Sequence, residues 1–434
     1  MRKRHPGFGP SRQRTRIVIL AVVALLSVEF SGFGQTSTVE ARASKPLEIE
    51  NPTFQASGLD RMPVESWNFE AITVKADADA LKLDVDISKK NERGLSIPGE
   101  GRGAILECGN RTHRADLVSA AFELKPFRSV DVTVAYQVEK GEPVPFVCLR
   151  PWNKREWVDV GFLPRSPAGK KRTTTVKLHS GLSNERYVLT MACIGQGAVR
   201  FLSVRGDVTG EYPRPEQPVF VLDMLHLKPR PTSELGWPAI SKLVTVFGFP
   251  AIESLHYSKV SAEKLEEIDP ALIVLSPKGE EIPRQEAMKM LDGAQIAVDH
   301  GAPVVGICLG HQVLAMLRGG KLGAAMEEGD DGKRKILWEW GPTMLKAVKE
   351  DPLFENLPRY PRFCASESHR GIVCGEVEGA ILLASTEHCK TQVFRYEGEP
   401  WYTFQAHIER GWGDACPEAC LLWKNMLRYF FLIP

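Results

Sequence analysis

The residues best suited to chemistry are a cysteine between two glycines and a histidine–glutamate pair near the end of the chain. Cys308 lies in the run GICLGHQ (306–312), between the apolar runs PVV (303–305) and VLAML (313–317). This order predicts a buried parallel strand, a tight turn that admits only glycine beside the cysteine, and a helix. Such a nucleophile elbow presents the thiol at the carboxyl edge of a sheet, where backbone N–H groups of the helix N-terminus can hold an oxyanion.

A thiol nucleophile needs a base and a group that orients the base. The run WYTFQAHIE (401–409) contains both, in His407 and Glu409, and with residues 391–396 it is predicted to form a hairpin. Residues two apart on a strand share a face, so Glu409 is expected to hold the imidazole of His407. Alone, the pair would be typical of a solvated strand end. With the cysteine elbow, it predicts a Cys-His-Glu triad.

The elements around these residues alternate between strands and helices. The runs VFVL (219–222) and ALIVL (271–275) are typical of buried strands, and residues 233–247 and 285–300 are predicted helices. Ser261 is the predicted cap of a further helix. Residues 219–434 are therefore predicted to form an α/β domain with a mostly parallel central sheet, with the site at the carboxyl ends of its strands.

Taken together, these motifs resemble those of the class I glutamine amidotransferases, over roughly residues 218–434 and in the family's order. The middle position of the His-x-Glu signature, here Ile408, is usually proline in that family. The resemblance implies that Cys308 attacks the side-chain amide of glutamine to give a γ-glutamyl thioester and ammonia. His407 would then be the general base and acid, and Glu409 its orienting carboxylate.

The resemblance also implies an oxyanion hole and a substrate site. The backbone N–H of Leu309 and the loop LSPKG (275–279) would form the hole, with Lys278 or Gly279 as the second donor. Lys278 stands where the family usually has glycine, which implies either a shifted loop that uses Gly279 or a lost donor.

The substrate site implied by the resemblance consists of Gln312 and the segment SESH (366–369), in which Ser368 and His369 would contact glutamine. His311 and His369 are also possible extra catalysts, but each better fits a positional or hydrogen-bonding role.

Residues 44–210 show a different pattern, of short alternating runs such as VDVTVAYQV (130–138) separated by turn residues. This pattern predicts an antiparallel, jelly-roll-like β-sandwich. The opening NPTF (51–54) resembles the start of the galactose-binding-like folds of carbohydrate-binding modules, which implies a glycan ligand. Trp152 and Trp157 would either stack on that sugar or belong to the core. The proline-rich stretch EYPRPEQP (211–218) is the predicted linker.

The first 43 residues combine a basic region with a short apolar core, IVILAVVALLSV (17–28), and a small-x-small run ARA (41–43). These features predict an export signal or, if uncleaved, an N-terminal anchor. The rest of the chain is therefore expected to be periplasmic, secreted or displayed outward from a membrane.

Composition limits the remaining possibilities. The net charge of +1 in 434 residues gives no indication of a nucleic-acid partner. The nine cysteines do not form the paired spacing of a zinc site, so no metal is predicted, and no cofactor is predicted. Some cysteines are expected to pair outside the cytoplasm, whereas Cys308 is expected to stay free.

Three functions fit these observations. The first is a hydrolase of glutamine or of a γ-glutamyl amide or peptide. The second is a glutaminase subunit that supplies ammonia to an unseen synthetase, because the chain lacks a Gly-x-x-x-x-Gly-Lys-Ser/Thr nucleotide loop of its own. The third is a catalytically degenerate protein that binds a glycan or a surface through the sandwich.

Overall fold

A computed structural model gives the structure of this protein. It describes residues 46–47, 72–77, 80–85, 93–98, 104–108, 114–118, 122–151, 157–182, 186–224, 240–277, 284–328, 334–412 and 416–433. Residues Ser44–Pro434 form one compact unit. The predicted signal or anchor (1–43) and the NPTF motif (51–54) lie outside the described residues, so both stay predictions.

The N-terminal half consists of strands. They are β1 (Pro46–Leu47), β2 (Ile72–Asp77), β3 (Ala80–Val85), β4 (Arg93–Pro98), β5 (Ala104–Cys108), β6 (Arg114–Val118), β7 (Phe122–Glu123), β8 (Arg128–Gly141), β9 (Val144–Pro151), β10 (Asp159–Phe162), β11 (Lys171–His179), β12 (Arg186–Ile194) and β13 (Gly197–Glu211). One sheet has the order β11-β8-β13-β5-β4-β3-β2, with β1 beside β13, and the other has the order β10-β9-β12-β6, with β7 beside β12. Their pairings are antiparallel within the described strands.

Strand β8 shows why these residues form a sheet with one buried face. Buried and partly exposed residues alternate along it, and the buried ones are apolar, from Val130 to Val138. The alternating strand predicted at 130–138 is thus confirmed. The jelly-roll-like sandwich predicted for 44–210 stays a prediction, because much of that range lies outside the described residues.

Trp157 belongs to the core of this half. It is 1% exposed and contacts the ring of Phe146, with ring centroids 5.7 Å apart. Of the two alternatives for Trp157, the structure confirms the core and not a sugar-stacking surface, because the large apolar ring gains more by burial between strands. Trp152 lies outside the described residues.

The C-terminal half mixes strands and helices. They are β14 (Val219–Asp223), α1 (Lys242–Thr245), β15 (Ile252–His256), α2 (Ala262–Ile268), β16 (Leu272–Leu275), α3 (Arg284–Asp299), β17 (Val304–Ile307), α4 (Leu309–Leu317), β18 (Lys321–Ala324), β19 (Met326–Glu328), β20 (Arg334–Ile336), β21 (Glu339–Ala347), β22 (Arg362–His369), β23 (Gly371–Cys374), β24 (Ala380–Ser385), β25 (Val393–Tyr396), β26 (Trp401–Phe404) and α5 (Glu418–Tyr429). Ser261 caps α2 as predicted, since its side chain accepts the N–H of Lys264.

The main sheet of this half has the order β15-β14-β16-β17-β26-β25-β24-β21-β22. The five strands from β15 to β26 are parallel, and the remaining neighbours pair antiparallel. The sheet is therefore mixed, and the prediction of a mostly parallel sheet was wrong for its second half. The physical reason is that strands such as β25 and β26 are joined by a tight hairpin, which only antiparallel neighbours can use.

A buried polar network joins the two halves. Lys424 of α5 donates to Asp159 of β10, with Nζ 2.5 Å from Oδ1, and His179 Nδ1 lies 2.6 Å from the other carboxylate oxygen. The second ring nitrogen of His179 lies 2.8 Å from the carbonyl of Val246. Buried apolar residues of both halves also belong to one continuous core. The predicted linker (211–218) follows β13 into β14, so contacts as well as the chain connect the halves.

Among the described residues, none of the helices has the length and apolar character that crossing a bilayer requires.

Candidate functional site

Cys308 occupies the turn between β17 and α4. It is 3% exposed, has φ of 51°, and its N–H donates to the carbonyl of Phe404, with N and O 2.7 Å apart. A positive φ is costly for a residue with a side chain and persists only where the surroundings fix it. The strained turn between strand and helix has the geometry that the glycine spacing predicted, and Cys308 is a free cysteine, as expected.

The two flanking glycines allow strand and helix to approach each other. A Cβ on Gly310 would lie 2.4 Å from the carbonyl oxygen of Leu275, and a Cβ on Gly306 would lie 2.8 Å from the backbone of Gly310. Real side chains do not tolerate such distances, so any larger residue would push α4 away from the sheet. The motif therefore serves the geometry of the turn.

His407 and Glu409 lie beside Cys308. His407 Nδ1 is 2.6 Å from Glu409 Oε1, and both residues are nearly fully buried. The His407 N–H donates to the carbonyl of Ser366, with N and O 2.8 Å apart. The pair does not lie on a strand, as the spacing suggested, because β26 ends at Phe404 and Glu409 belongs to a 3₁₀ turn, Ile408–Arg410. The turn still brings carboxylate and imidazole together.

The electrostatic environment favours a proton on His407. Burial alone would lower its pKa, but the Glu409 carboxylate and a hydrogen bond with the Cys308 side chain outweigh burial and raise the pKa to about 10. An imidazole with this proton affinity can take the thiol proton and later donate it to a leaving amine.

A second amide, Gln405, which the sequence analysis did not single out, pairs with Gln312 beside the thiol. Gln405 is fully buried, and its Nε2 lies 3.7 Å from Cys308 Sγ. Gln312 Nε2 donates to Gln405 Oε1, 3.0 Å away, and to the carbonyl of Gly371, 3.1 Å away. The sequence feature that could have identified Gln405 is its position, directly after the predicted strand and two residues before His407. Gln312, a predicted substrate-binding residue, thus lies next to the site.

The predicted oxyanion hole lies only partly within the described residues. Leu309 is the first residue of α4, where helix N–H groups have no partner within the helix. Lys278 and Gly279 lie outside the described residues. The preceding Ser276 uses its N–H on the carbonyl of Leu222, with N and O 3.2 Å apart.

Ser368 and His369 project to opposite faces of β22. His369 is buried, and its Nε2 lies 3.2 Å from Glu339 Oε2 and 3.0 Å from Glu367 Oε2. Burial would lower the pKa of His369, but these two carboxylates raise it to about 9. The side chain of His369 is therefore engaged in ion pairs behind the strand, which fits the positional role. Ser368 is half-buried and shares a face with Ser366, whose carbonyl binds His407.

His311 also has a structural environment. Its Nδ1 lies 2.8 Å from Thr403 Oγ1, its ring stacks on Phe394, and burial lowers its pKa to about 3. A neutral, enclosed imidazole fits the positional role.

An exposed apolar stripe runs from the end of β20 into β21. Every second residue from 336 to 344 points outward, and all are apolar: Ile336, Trp338, Trp340, Pro342 and Met344. Trp340 is 71% exposed and contacts Trp338 edge to face, with centroids 6.2 Å apart. Trp340 pairs with Ser368 and Pro342 with Ser366. The apolar stripe therefore borders the strand that contacts His407.

The cysteines other than Cys308 include one pair. Cys364 of β22 forms a disulfide with Cys416, just before α5. Cys148, Cys193, Cys374, Cys389 and Cys420 are thiols that take no part in a disulfide.

Residues 250–417 match the model of the family described as glutamine amidotransferase class-I. The chain is 35% identical over 114 residues to a subunit of the glutamine-hydrolyzing GMP synthase of Methanocaldococcus jannaschii, a match covering 26% of this chain and 54% of the relative. It is 28% identical over 170 residues to the glutamine-hydrolyzing GMP synthase of Bacillus cereus, covering 39% of this chain and 30% of the relative. The chain thus spans about half the length, or less, of these relatives.

Among solved structures, a protein of Thermoplasma acidophilum assigned as a GMP synthase subunit is similar, with a TM-score of 0.38 and 20% identity. That similarity covers 50% of this chain and 94% of the other. The family match spans β15 to the residue before α5, and so includes the Cys308 elbow, His407 and Glu409. The chain thus contains a class I glutamine amidotransferase domain.

Proposed function

We propose that this protein hydrolyses the side-chain amide of glutamine through a thioester on Cys308. The observation that carries the proposal is the contact of His407 with both Cys308, in its strained and buried turn, and Glu409, in the 3₁₀ turn that follows His407. Homology supports it, since the similar proteins from Methanocaldococcus jannaschii and Bacillus cereus are named as glutamine-hydrolyzing.

In the first step, His407 takes the Cys308 proton and the sulfur attacks the amide carbon, forming the S–C bond and placing negative charge on the carbonyl oxygen. The intermediate collapses as the C–N bond breaks, and His407 gives its proton to the departing nitrogen, which leaves as ammonia. Water, deprotonated by His407, then attacks the thioester, and glutamate leaves as the thiolate takes the proton back.

The negative oxygen of the intermediate needs donors placed in advance. The N–H of Leu309 is one, at the N-terminus of α4, and Lys278 or Gly279 supplies the other. Loss of one such donor costs roughly a hundred- to a thousand-fold in rate. If Lys278 removes this donor, the rate falls by that factor. Alternatively, the loop altered by Lys278 fits a different acyl donor, such as another γ-glutamyl amide or peptide. Ser368 and Gln312 would contact the rest of the substrate.

A second candidate function is a glutaminase subunit that delivers ammonia to a synthetase. The apolar stripe favours it, because contiguous exposed apolar residues often mark protein interfaces, and this set borders the strand next to His407. The relative from Methanocaldococcus jannaschii is itself named as a subunit. The remaining candidate, glycan or surface binding through residues 44–210, would add to either activity. Export, through residues 1–43, would favour a hydrolase that works alone, away from cytosolic ATP.

The test is ammonia release by the purified protein lacking residues 1–43, with glutamine and with γ-glutamyl amides and peptides. Cys308→Ala is the inactive control, and Cys374→Ala, a second free cysteine outside the site, is the matched control. Turnover lost only in Cys308→Ala supports an enzyme. Absence of turnover, together with absence of Cys308 labelling by a glutamine-mimicking electrophile, would refute both enzymatic functions.

The second candidate function would be favoured by two results together. Cys308 is labelled although turnover of the isolated protein is very slow, and a candidate synthetase accelerates turnover of the wild type. The synthetase should not accelerate turnover of the Trp340→Glu variant. Fusion of the first 43 residues to a reporter would test export, and a glycan array would test the binding role.

A further inference from the structure

A second cluster of titratable side chains lies behind β22, on the side away from Ser368. It contains Glu339 at the start of β21, Glu367 and His369 of β22, and Cys389 in the loop between β24 and β25. All four are buried, with 7%, 0%, 4% and 0% exposure. The donor atoms of Glu339, His369 and Cys389 lie within 4.8 Å of one another.

The distances in this cluster are close to those of a coordination shell. Ligands held at about 2.0–2.3 Å from a tetrahedral zinc ion are roughly 3.3–3.7 Å apart. His369 Nε2 lies 3.2 Å from Glu339 Oε2 and 3.0 Å from Glu367 Oε2. A divalent ion in place of the Nε2 proton would thus meet donor atoms of Glu339, His369 and Cys389 that already lie within 4.8 Å of one another, and would reach Glu367 through the oxygen that lies 3.0 Å from Nε2.

Unmet hydrogen bonding points to a ligand at this place. Within the described residues, Glu367 Oε1 has no hydrogen-bond partner although the side chain is fully buried, and Oε2 contacts only His369, 3.0 Å away. The one Nε2 nitrogen of His369 is shared between the Glu339 and Glu367 carboxylates, so a single proton on it cannot fully satisfy both. Burying such groups without partners is costly, and a coordinated cation would satisfy them together.

Neighbouring hydrogen bonds orient the donors. The Thr386 hydroxyl donates to Glu339 Oε1, 2.9 Å away, and accepts the Cys389 N–H, 2.9 Å away. The Thr386 N–H in turn donates to the Cys389 carbonyl, at 2.8 Å. Bonds of this kind, one step out from the ligands, fix carboxylate and thiol positions at metal sites.

We propose that Glu339, Glu367, His369 and Cys389 bind one Zn²⁺ ion. A set of carboxylate, imidazole and thiolate donors favours zinc over magnesium or calcium, which prefer oxygen ligands. Because all four ligands are buried, the site is closed and structural. The ion ties β21 and β22 to the β24–β25 loop. The four positions have no recognisable spacing in the sequence, which explains why sequence reasoning predicted no metal.

The first test is the zinc content of the full-length protein, purified from zinc-supplemented cells and dialysed against a mild chelator. One bound Zn²⁺ per chain is expected. Protein refolded with Co²⁺ alone is then expected to show the intense near-ultraviolet band of a thiolate–cobalt bond and visible bands of tetrahedral cobalt.

Variants separate this site from adventitious binding. Cys389→Ser is expected to remove the thiolate–cobalt band, whereas Cys374→Ser is expected to keep it. Glu367→Gln, which alters a ligand with little change in shape, is expected to weaken zinc binding by at least about tenfold. A folded wild type that holds neither ion, or a thiolate band that persists in Cys389→Ser, would overturn the proposal. If Cys389→Ser does not fold, unchanged zinc affinity in Glu367→Gln would overturn it.

Discussion

The network around Asp159 makes a quantitative prediction about how the two halves of the protein depend on each other. Replacing Lys424 by methionine keeps the length of the side chain but removes the ammonium that contacts Asp159. Asp159 is 2% exposed, so its carboxylate would keep its hydrogen bonds with His179 but would lose the ammonium beside it. Removing one member of a buried ion pair typically costs about 3–5 kcal/mol, roughly a third or more of the stability of many proteins. Lys424→Met should therefore lose about that much.

The assay is urea unfolding of wild type, Lys424→Met, Asp159→Asn and the double variant, with the coupling taken from the double-mutant cycle. The double variant should recover part of the loss, since the unpaired carboxylate is gone.

Burial raises the pKa of Asp159, but Lys424 and His179 outweigh burial and lower it below 3.8. The folded state therefore binds this proton less readily than the unfolded state. The stabilisation is present above pH 3.8 and decreases as the pH falls below it. A loss below about 1 kcal/mol in Lys424→Met would refute the reasoning.

Three further predictions concern the catalytic site. Glu409→Gln should lower the pKa of His407 from about 10, because burial then acts with less opposition. It should also reduce kcat roughly a hundred- to ten-thousand-fold with little change in KM, and steady-state pH profiles would show both effects. An unchanged pH profile would contradict the role of Glu409 as the carboxylate that orients His407. Gly310→Ala should displace α4 from the Leu275 carbonyl, costing about 1–3 kcal/mol in urea unfolding and slowing Cys308 labelling; unaltered labelling would argue against the tight turn. Gln405→Leu should remove the amide beside the thiol and slow Cys308 labelling about tenfold, which corresponds to roughly 1.4 kcal/mol in activation free energy. Equal labelling rates in the variant and the wild type would exclude a role of Gln405 in activating the thiol.

The turn at Cys308 was predictable because short-range interactions dictate it. Cys308 lies between two glycines, with an apolar run before it and another after it. This pattern is compatible with few structures other than a strand, a tight turn and a helix, and the structure has β17 and α4 at these positions. The hairpin of β25 and β26 was equally local, since alternation and a tight turn specify it. The contact between His407 and Glu409 was predicted on the wrong element, because a two-residue spacing fits a 3₁₀ turn as well as a strand.

What sequence reasoning missed depends on contacts between distant residues. Glu339 and Cys389 meet His369 only after three elements have assembled, and Asp159 meets Lys424 across 265 positions. No periodicity encodes such contacts. The parallel part of the sheet could be predicted from the alternation of strands and helices. Its antiparallel part depends on which hairpin strands add to the sheet beside β26. Burial of Trp157 likewise depends on neighbours that composition does not reveal.

The most direct measurement of the central claim is mass spectrometry of protein mixed with glutamine and quenched in acid within one turnover. The proposed chemistry predicts a γ-glutamyl adduct on the peptide that contains Cys308, formed together with one equivalent of ammonia and absent in Cys308→Ala. The adduct should be absent or slow in His407→Ala as well. Ammonia release with no adduct on Cys308 at any time, or an adduct on another cysteine, would contradict the assignment of Cys308 as the nucleophile.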